Sequence, residues 1–146
     1  MQVLQDRQLG VALGAAPFFW LLLFFFRAPA PDLLWPLQDS MRFLLPVLVY
    51  PLLEELTFRG WLQPLLYQRQ WGAAHYAGLS AANLLTTLLF AASHLAWHSW
   101  PQALVVILPS LVFGYFRDRY GRVGPSVALH VFYNSGFVWL FANPLP

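Results

Sequence analysis

From Leu9 to Phe26 the chain runs LGVALGAAPFFWLLLFFF without a single charged residue. As a helix rising about 1.5 Å per residue, that run approaches the roughly 30 Å needed to cross the hydrocarbon core of a bilayer. No other feature restricts the fold so strongly. Inside lipid the backbone has no water to bond, so a crossing segment must be a helix or part of a closed barrel. Apolar stretches recur over Met41–Leu66, Ala81–Trp97, Pro101–Phe116 and Ser126–Ala142. The fold class this pattern predicts is all-α, a multi-pass integral membrane bundle of about five transmembrane helices. Composition agrees: 59% of the 146 residues are hydrophobic and only 10% are charged. A water-soluble domain of this size would have to expose much of that as an apolar patch.

A cleaved signal peptide is the rival reading of the first run, since Arg7 precedes it and RAPAPD follows. The run is long and aromatic for such a segment, and Pro31 directly after Ala30 makes a poor cleavage position. Residues 1–40 therefore read as a first transmembrane helix followed by a proline-rich interfacial loop, Ala28–Ser40, with residues 41–146 as the remaining body. Pro46, Pro51 and Pro109 lie inside apolar runs and predict kinks with freed carbonyls. Arginine placement orients the chain, because positively charged loops stay cytoplasmic. With Arg7, Arg69, Arg117, Arg119 and Arg122 inside, Arg27 and Arg42 lie outside. The N-terminus is then cytoplasmic and the C-terminus outside. Trp35, Trp71, Trp97 and Trp100 fall near the span ends, where indole rings prefer to sit. The absence of lysine beside abundant arginine, alanine and proline points to a GC-rich bacterial genome, hence to an inner membrane.

Absent cysteine excludes disulfides, thiolate metal sites and a cysteine nucleophile. A net charge of +2 with no basic stripe excludes nucleic acid as a partner. The informative polar residues are those the membrane has to tolerate. In EELTFRG, Glu55 and Arg59 stand at i and i+4 with the acid first, the favourable order for a helical ion pair. On an α-helical wheel Glu54 is turned about 100° away, outside that pair. FAASH sets Phe90 and His94 on one helix face, and HVFYN does the same for His130 and Asn134.

Ionisable residues within spans line aqueous cavities by default. A carboxylate, two imidazoles and a carboxamide in one cavity suit acyl-bond hydrolysis. The acid takes a proton from water while one imidazole orients that water; the other imidazole and the amide stabilise the oxyanion. A zinc site of one Glu and two His is a competing reading, although no HExxH pair occurs. A non-enzymatic membrane scaffold or immunity-type partner, and a small proton relay or transporter, use the same residue types. His75 and His98 read as ordinary loop residues. Arg117, Asp118, Arg119 and Arg122 read as topology-setting charges, and Asn83, Thr86 and Thr87 as interhelical hydrogen-bonding groups.

EELTFR fits EExxxR, FAASH fits FxxxH and HVFYN fits HxxxN, in that order and in helical settings. The set resembles the CPBP family of CAAX-processing and bacteriocin-processing membrane proteins, also called Abi or type II CAAX prenyl endopeptidases. The likeness covers Met41 to Ala142, so residues 41–146 correspond to the catalytic core. The resemblance implies a glutamic-type intramembrane endopeptidase without metal or cofactor. Glu54 would be the general base, with His94 sharing in water activation, and His130 with Asn134 would form the oxyanion site. Glu55, Arg59 and Phe90 would support it. It also implies a membrane-associated protein substrate cut near a C-terminal tail or lipidated terminus. The small size is similar to that of myxosortase-like proteases that trim sorting tails.

Overall fold

The computed structural model describes residues 6–141. They form an all-α chain, with a single two-strand hairpin among the described residues. Helix α1 (Arg7–Leu23) is followed by a loop carrying the short α2 (Trp35–Gln38). A helical run then proceeds in abutting pieces: α3 (Ser40–Leu44), π1 (Leu45–Val49), α4 (Tyr50–Glu55), π2 (Leu56–Leu62) and α5 (Gln63–Tyr67). The hairpin β1 (His75–Tyr76) and β2 (Leu79–Ser80) leads into α6 (Ala81–His94), α7 (Trp100–Val105), α8 (Ile107–Tyr120) and α9 (Gly124–Phe141).

Local chemistry sets these boundaries. Asp6 accepts from Gln8 N–H at 3.0 Å and starts α1; Ser80 accepts from Asn83 N–H at 2.9 Å and starts α6, each satisfying an orphan donor of the first turn. Ser99 and Gln102 form a reciprocal capping box at α7. Gly121, at φ 67°, closes α8 in the left-handed conformation that a side chain would oppose. Proline explains the π pieces. Pro51 has no N–H, and in an α register its ring would press on the carbonyl four residues back. The helix widens instead: Tyr50 N–H bonds Leu45 O, five residues away. Pro46 O is next in line, and its π-register donor would be Pro51, which has none. The Asn134 side chain fills that place, Nδ2 donating to Pro46 O at 2.9 Å.

The described residues fall into two compact units, one up to Leu52 together with those from Leu129, the other Leu53–Ala128. In the first, α1 packs on α9. Trp20 and Phe132 rings lie 5.3 Å apart, a Cβ on Gly136 would collide with Trp20, and Tyr133 donates to Ala12 O at 2.7 Å. The loop after α1 is tied to the end of α9 three times. Ala30 N–H donates to Leu140 O at 2.7 Å, Trp35 Nε1 to Trp139 O at 3.0 Å, and Trp139 Nε1 to Leu33 O at 2.9 Å.

The second unit packs α6 antiparallel to π2–α5 and to α8. A polar ladder fixes this order. At one rung Arg59 meets Ser110, whose Oγ donates to Thr87 Oγ1 at 2.9 Å. Further along, Asn83 Nδ2 donates to Leu111 O at 3.0 Å and Gln63 Nε2 to Gly114 O at 2.9 Å. At the far rung Asp118 accepts from Gln63 at 2.8 Å and from Ser80 at 2.6 Å. Gly114 permits the close approach, since a Cβ there would collide with the Asn83 side chain. Asp118 and Arg117, read from sequence as topology charges, thus serve packing: Arg117 Nε donates to Arg59 O at 2.7 Å.

Each apolar stretch is helical, but the expected spans require correction. Among the described residues no helix is long and apolar enough to cross a membrane. Helix α6 stops at His94 rather than Trp97, and at 14 residues it rises about 21 Å. The fourth stretch is broken into α7 and α8 at Val106, and the Met41–Leu66 stretch is divided by its π turns.

Candidate active site

Glu54, Glu55, Arg59, Phe90 and His94 all belong to the Leu53–Ala128 unit, and His130 and Asn134 to the other. Glu55 and Arg59 are both fully buried, at 0% exposure, and pair at 3.0 Å between Oε1 and Nη1. The guanidinium is held by Ser110 as well, with Nη2 donating to its carbonyl at 3.1 Å and to its Oγ. It stacks 4.4 Å above the Phe90 ring, a cation–π contact strengthened by desolvation. Two buried charges are tolerable only when they are paired and hydrogen-bonded; both Nη atoms of Arg59 are so held, while its buried Nε has no hydrogen-bond partner among the described residues.

Glu54 is half-buried. As the helical wheel implies, the close ion pair of Arg59 is with Glu55, and Glu54 lies within the weaker, longer reach of the same cation.

Phe90 connects this charge cluster to His94. Its ring lies 5.1 Å from Phe58 in an edge contact and 4.6 Å from the His94 imidazole. Because α6 runs antiparallel to the Glu54 helix, one turn back from Phe58 and one turn on from Phe90 lead to the same end of the unit. Glu54 and His94 both lie at that end. His94 Nδ1 is 2.9 Å from Phe90 O; a carbonyl only accepts, so Nδ1 carries the proton and Nε2 keeps its lone pair in the neutral ring. His98 is exposed, as its loop position implied, but its ring stacks on His94 at 5.7 Å. His130 is buried at 6% exposure, and Asn134 is half-buried with Nδ2 on Pro46 O. Among the described residues no three of His, Cys, Asp and Glu are grouped to hold a metal ion.

Sequence reasoning missed Gln63 and Ser110. Gln63 follows Glu55 and Arg59 at four-residue intervals, a polar stripe that could have revealed it. Ser110 carries no local signal, since its role comes from a helix distant in sequence.

The family described as type II CAAX prenyl endopeptidase Rce1-like matches residues 36–136. No curated protein and no solved structure matches the chain.

Proposed function

The chain belongs to the type II CAAX prenyl endopeptidase family, a membrane-embedded group of proteases, and from that premise we propose that it is a glutamic-type intramembrane endopeptidase. Its substrate is a membrane-associated protein cut near a C-terminal tail or lipidated terminus. Glu54 takes a proton from water, the water oxygen attacks the scissile carbonyl carbon, and the proton passes to the leaving amine, giving a new carboxylate and a free amine. His94 Nε2 orients that water. His130 and the second Nδ2 hydrogen of Asn134 stabilise the oxyanion. Glu55, Arg59 and Phe90 hold the Glu54 helix.

The observation that carries this reading is a His94 whose Nδ1 lies 2.9 Å from Phe90 O, which sets its tautomer and leaves Nε2 with a lone pair, in the unit that also holds Glu54. A membrane setting is supported by large apolar side chains left outside the packing, among them Phe18 at 71%, Phe25 at 83% and Leu108 at 73% exposure. The arginine distribution supports a cytoplasmic N-terminus, an external C-terminus and a multi-pass arrangement in a bacterial inner membrane.

The test incubates detergent-purified wild type and Glu54→Gln with tagged candidate tails, with and without chelator, and follows cleavage by mass spectrometry. Chelator-resistant cleavage that falls by about 10²–10⁴-fold in Glu54→Gln is the expected result. Cleavage retained by Glu54→Gln rejects the base, and chelator-sensitive cleavage moves the zinc reading forward. No cleavage by a folded wild type across a broad panel favours the scaffold.

A further inference from the structure

Arg117 lies in the last turn of α8, at the start of the basic run RDRYGR, yet the atom it contributes is a hydrogen-bond donor directed into the helical packing. Its Nε reaches Arg59 O at 2.7 Å in a part-buried position. In an α register that carbonyl would be bonded by Gln63 N–H, but Gln63 N–H goes to Phe58 O, five residues back. The π-register donor would be residue 64, which is proline. Arg59 O is therefore left without a main-chain donor by the same arrangement that frees Pro46 O ahead of Pro51. Each π turn ends two residues before a proline, and each freed carbonyl is met by a side chain from a later helix, Asn134 in one case and Arg117 in the other. A buried carbonyl without a partner is costly, so the donor decides whether the π turn persists. Without it, the α alternative returns Gln63 N–H to Arg59 O and shifts the register of the helix that carries Glu54, Glu55 and Arg59.

We propose that Arg117 is a positioning residue for the protease chemistry: by capping Arg59 O it holds π2 open and fixes the helical register in which Arg59 follows Glu54 and Glu55. The inference rests on the protease reading. It assigns the function to Nε and not to the positive charge, which gives a sharp discriminator. Glutamine carries its Nε2 the same number of bonds from Cα as arginine carries Nε, so Arg117→Gln keeps the donor and discards the charge. Arg117→Met discards both.

The experiment measures kcat and KM for wild type, Arg117→Met, Arg117→Gln, Pro64→Ala and Arg117→Met with Pro64→Ala, on the tail that wild type cleaves. Arg117→Met is expected to lower kcat about tenfold with KM within about twofold, whereas Arg117→Gln stays within about twofold of wild type. Pro64→Ala restores an N–H that can cap Arg59 O within the same π turn. In that background Arg117→Met should cost no more than about twofold. Arg117→Gln behaving like Arg117→Met, equal losses from Arg117→Met in both backgrounds, or a change confined to KM would each overturn the proposal. Unimpaired cleavage by Glu54→Gln would instead reject Glu54 as the base, and absence of cleavage by folded wild type would reject the protease assignment. The cycle is then read in the melting temperatures of the same variants, where additivity of Arg117→Met and Pro64→Ala overturns the capping role and its absence upholds it.

Discussion

Replacing Arg59 with methionine tests the account of the charge cluster most directly. Arg59 and Glu55 are both at 0% exposure and 3.0 Å apart, and Ser110 and the Phe90 ring are further partners of the cation. Methionine keeps much of the side-chain volume but removes the charge, and with it the charged partner that makes a buried Glu55 carboxylate tolerable. Breaking one side of a buried pair costs about 3–5 kcal/mol, a large share of the roughly 5–15 kcal/mol that holds a typical domain. The second half of the prediction concerns the rescue. Adding Glu55→Gln removes the stranded carboxylate, so the double variant should be more stable than Arg59→Met alone. Thermal unfolding in detergent, followed by tryptophan emission, reads both. An Arg59→Met protein within about 0.5 kcal/mol of wild type, or a double variant less stable than the single, would refute the reasoning.

Two packing predictions are independent of the chemistry. Gly114→Ala drives a methyl into the Asn83 side chain at the α6–α8 crossing and should cost about 1–3 kcal/mol in the same assay, with Gly124→Ala, which meets open space, as the tolerated control. Ala77 occupies the left-handed region at φ 51°, in a two-residue hairpin turn beside Gly78 at φ 85°. Ala77→Gly should therefore raise the stability by up to about 1 kcal/mol, seen as a higher melting temperature.

The helices and the motif residues were legible in the linear chain because they depend on local geometry. Apolar runs bounded by Ser80, Ser99 and Gly121 announce helices and their ends through the orphan donors and carbonyls of the terminal turns. The i, i+4 interval from Glu55 to Arg59 brings those side chains together in one helix whatever surrounds it, and the 3.0 Å contact follows. EELTFR, FAASH and HVFYN likewise led to the family that matches residues 36–136. Three features depended on tertiary contact. The prolines announced a disturbed helix, but whether it kinks or widens depends on which distant donor meets the freed carbonyl, and only packing brings Asn134 to Pro46 and Arg117 to Arg59. The rung at Asp118, which accepts from both Gln63 and Ser80, depends on how separate elements pack and not on an interval within one helix. The burial of Arg59 against Ser110 and Phe90 joins segments far apart in the chain, and spacing carries no information about partners that only the folded helices bring within reach.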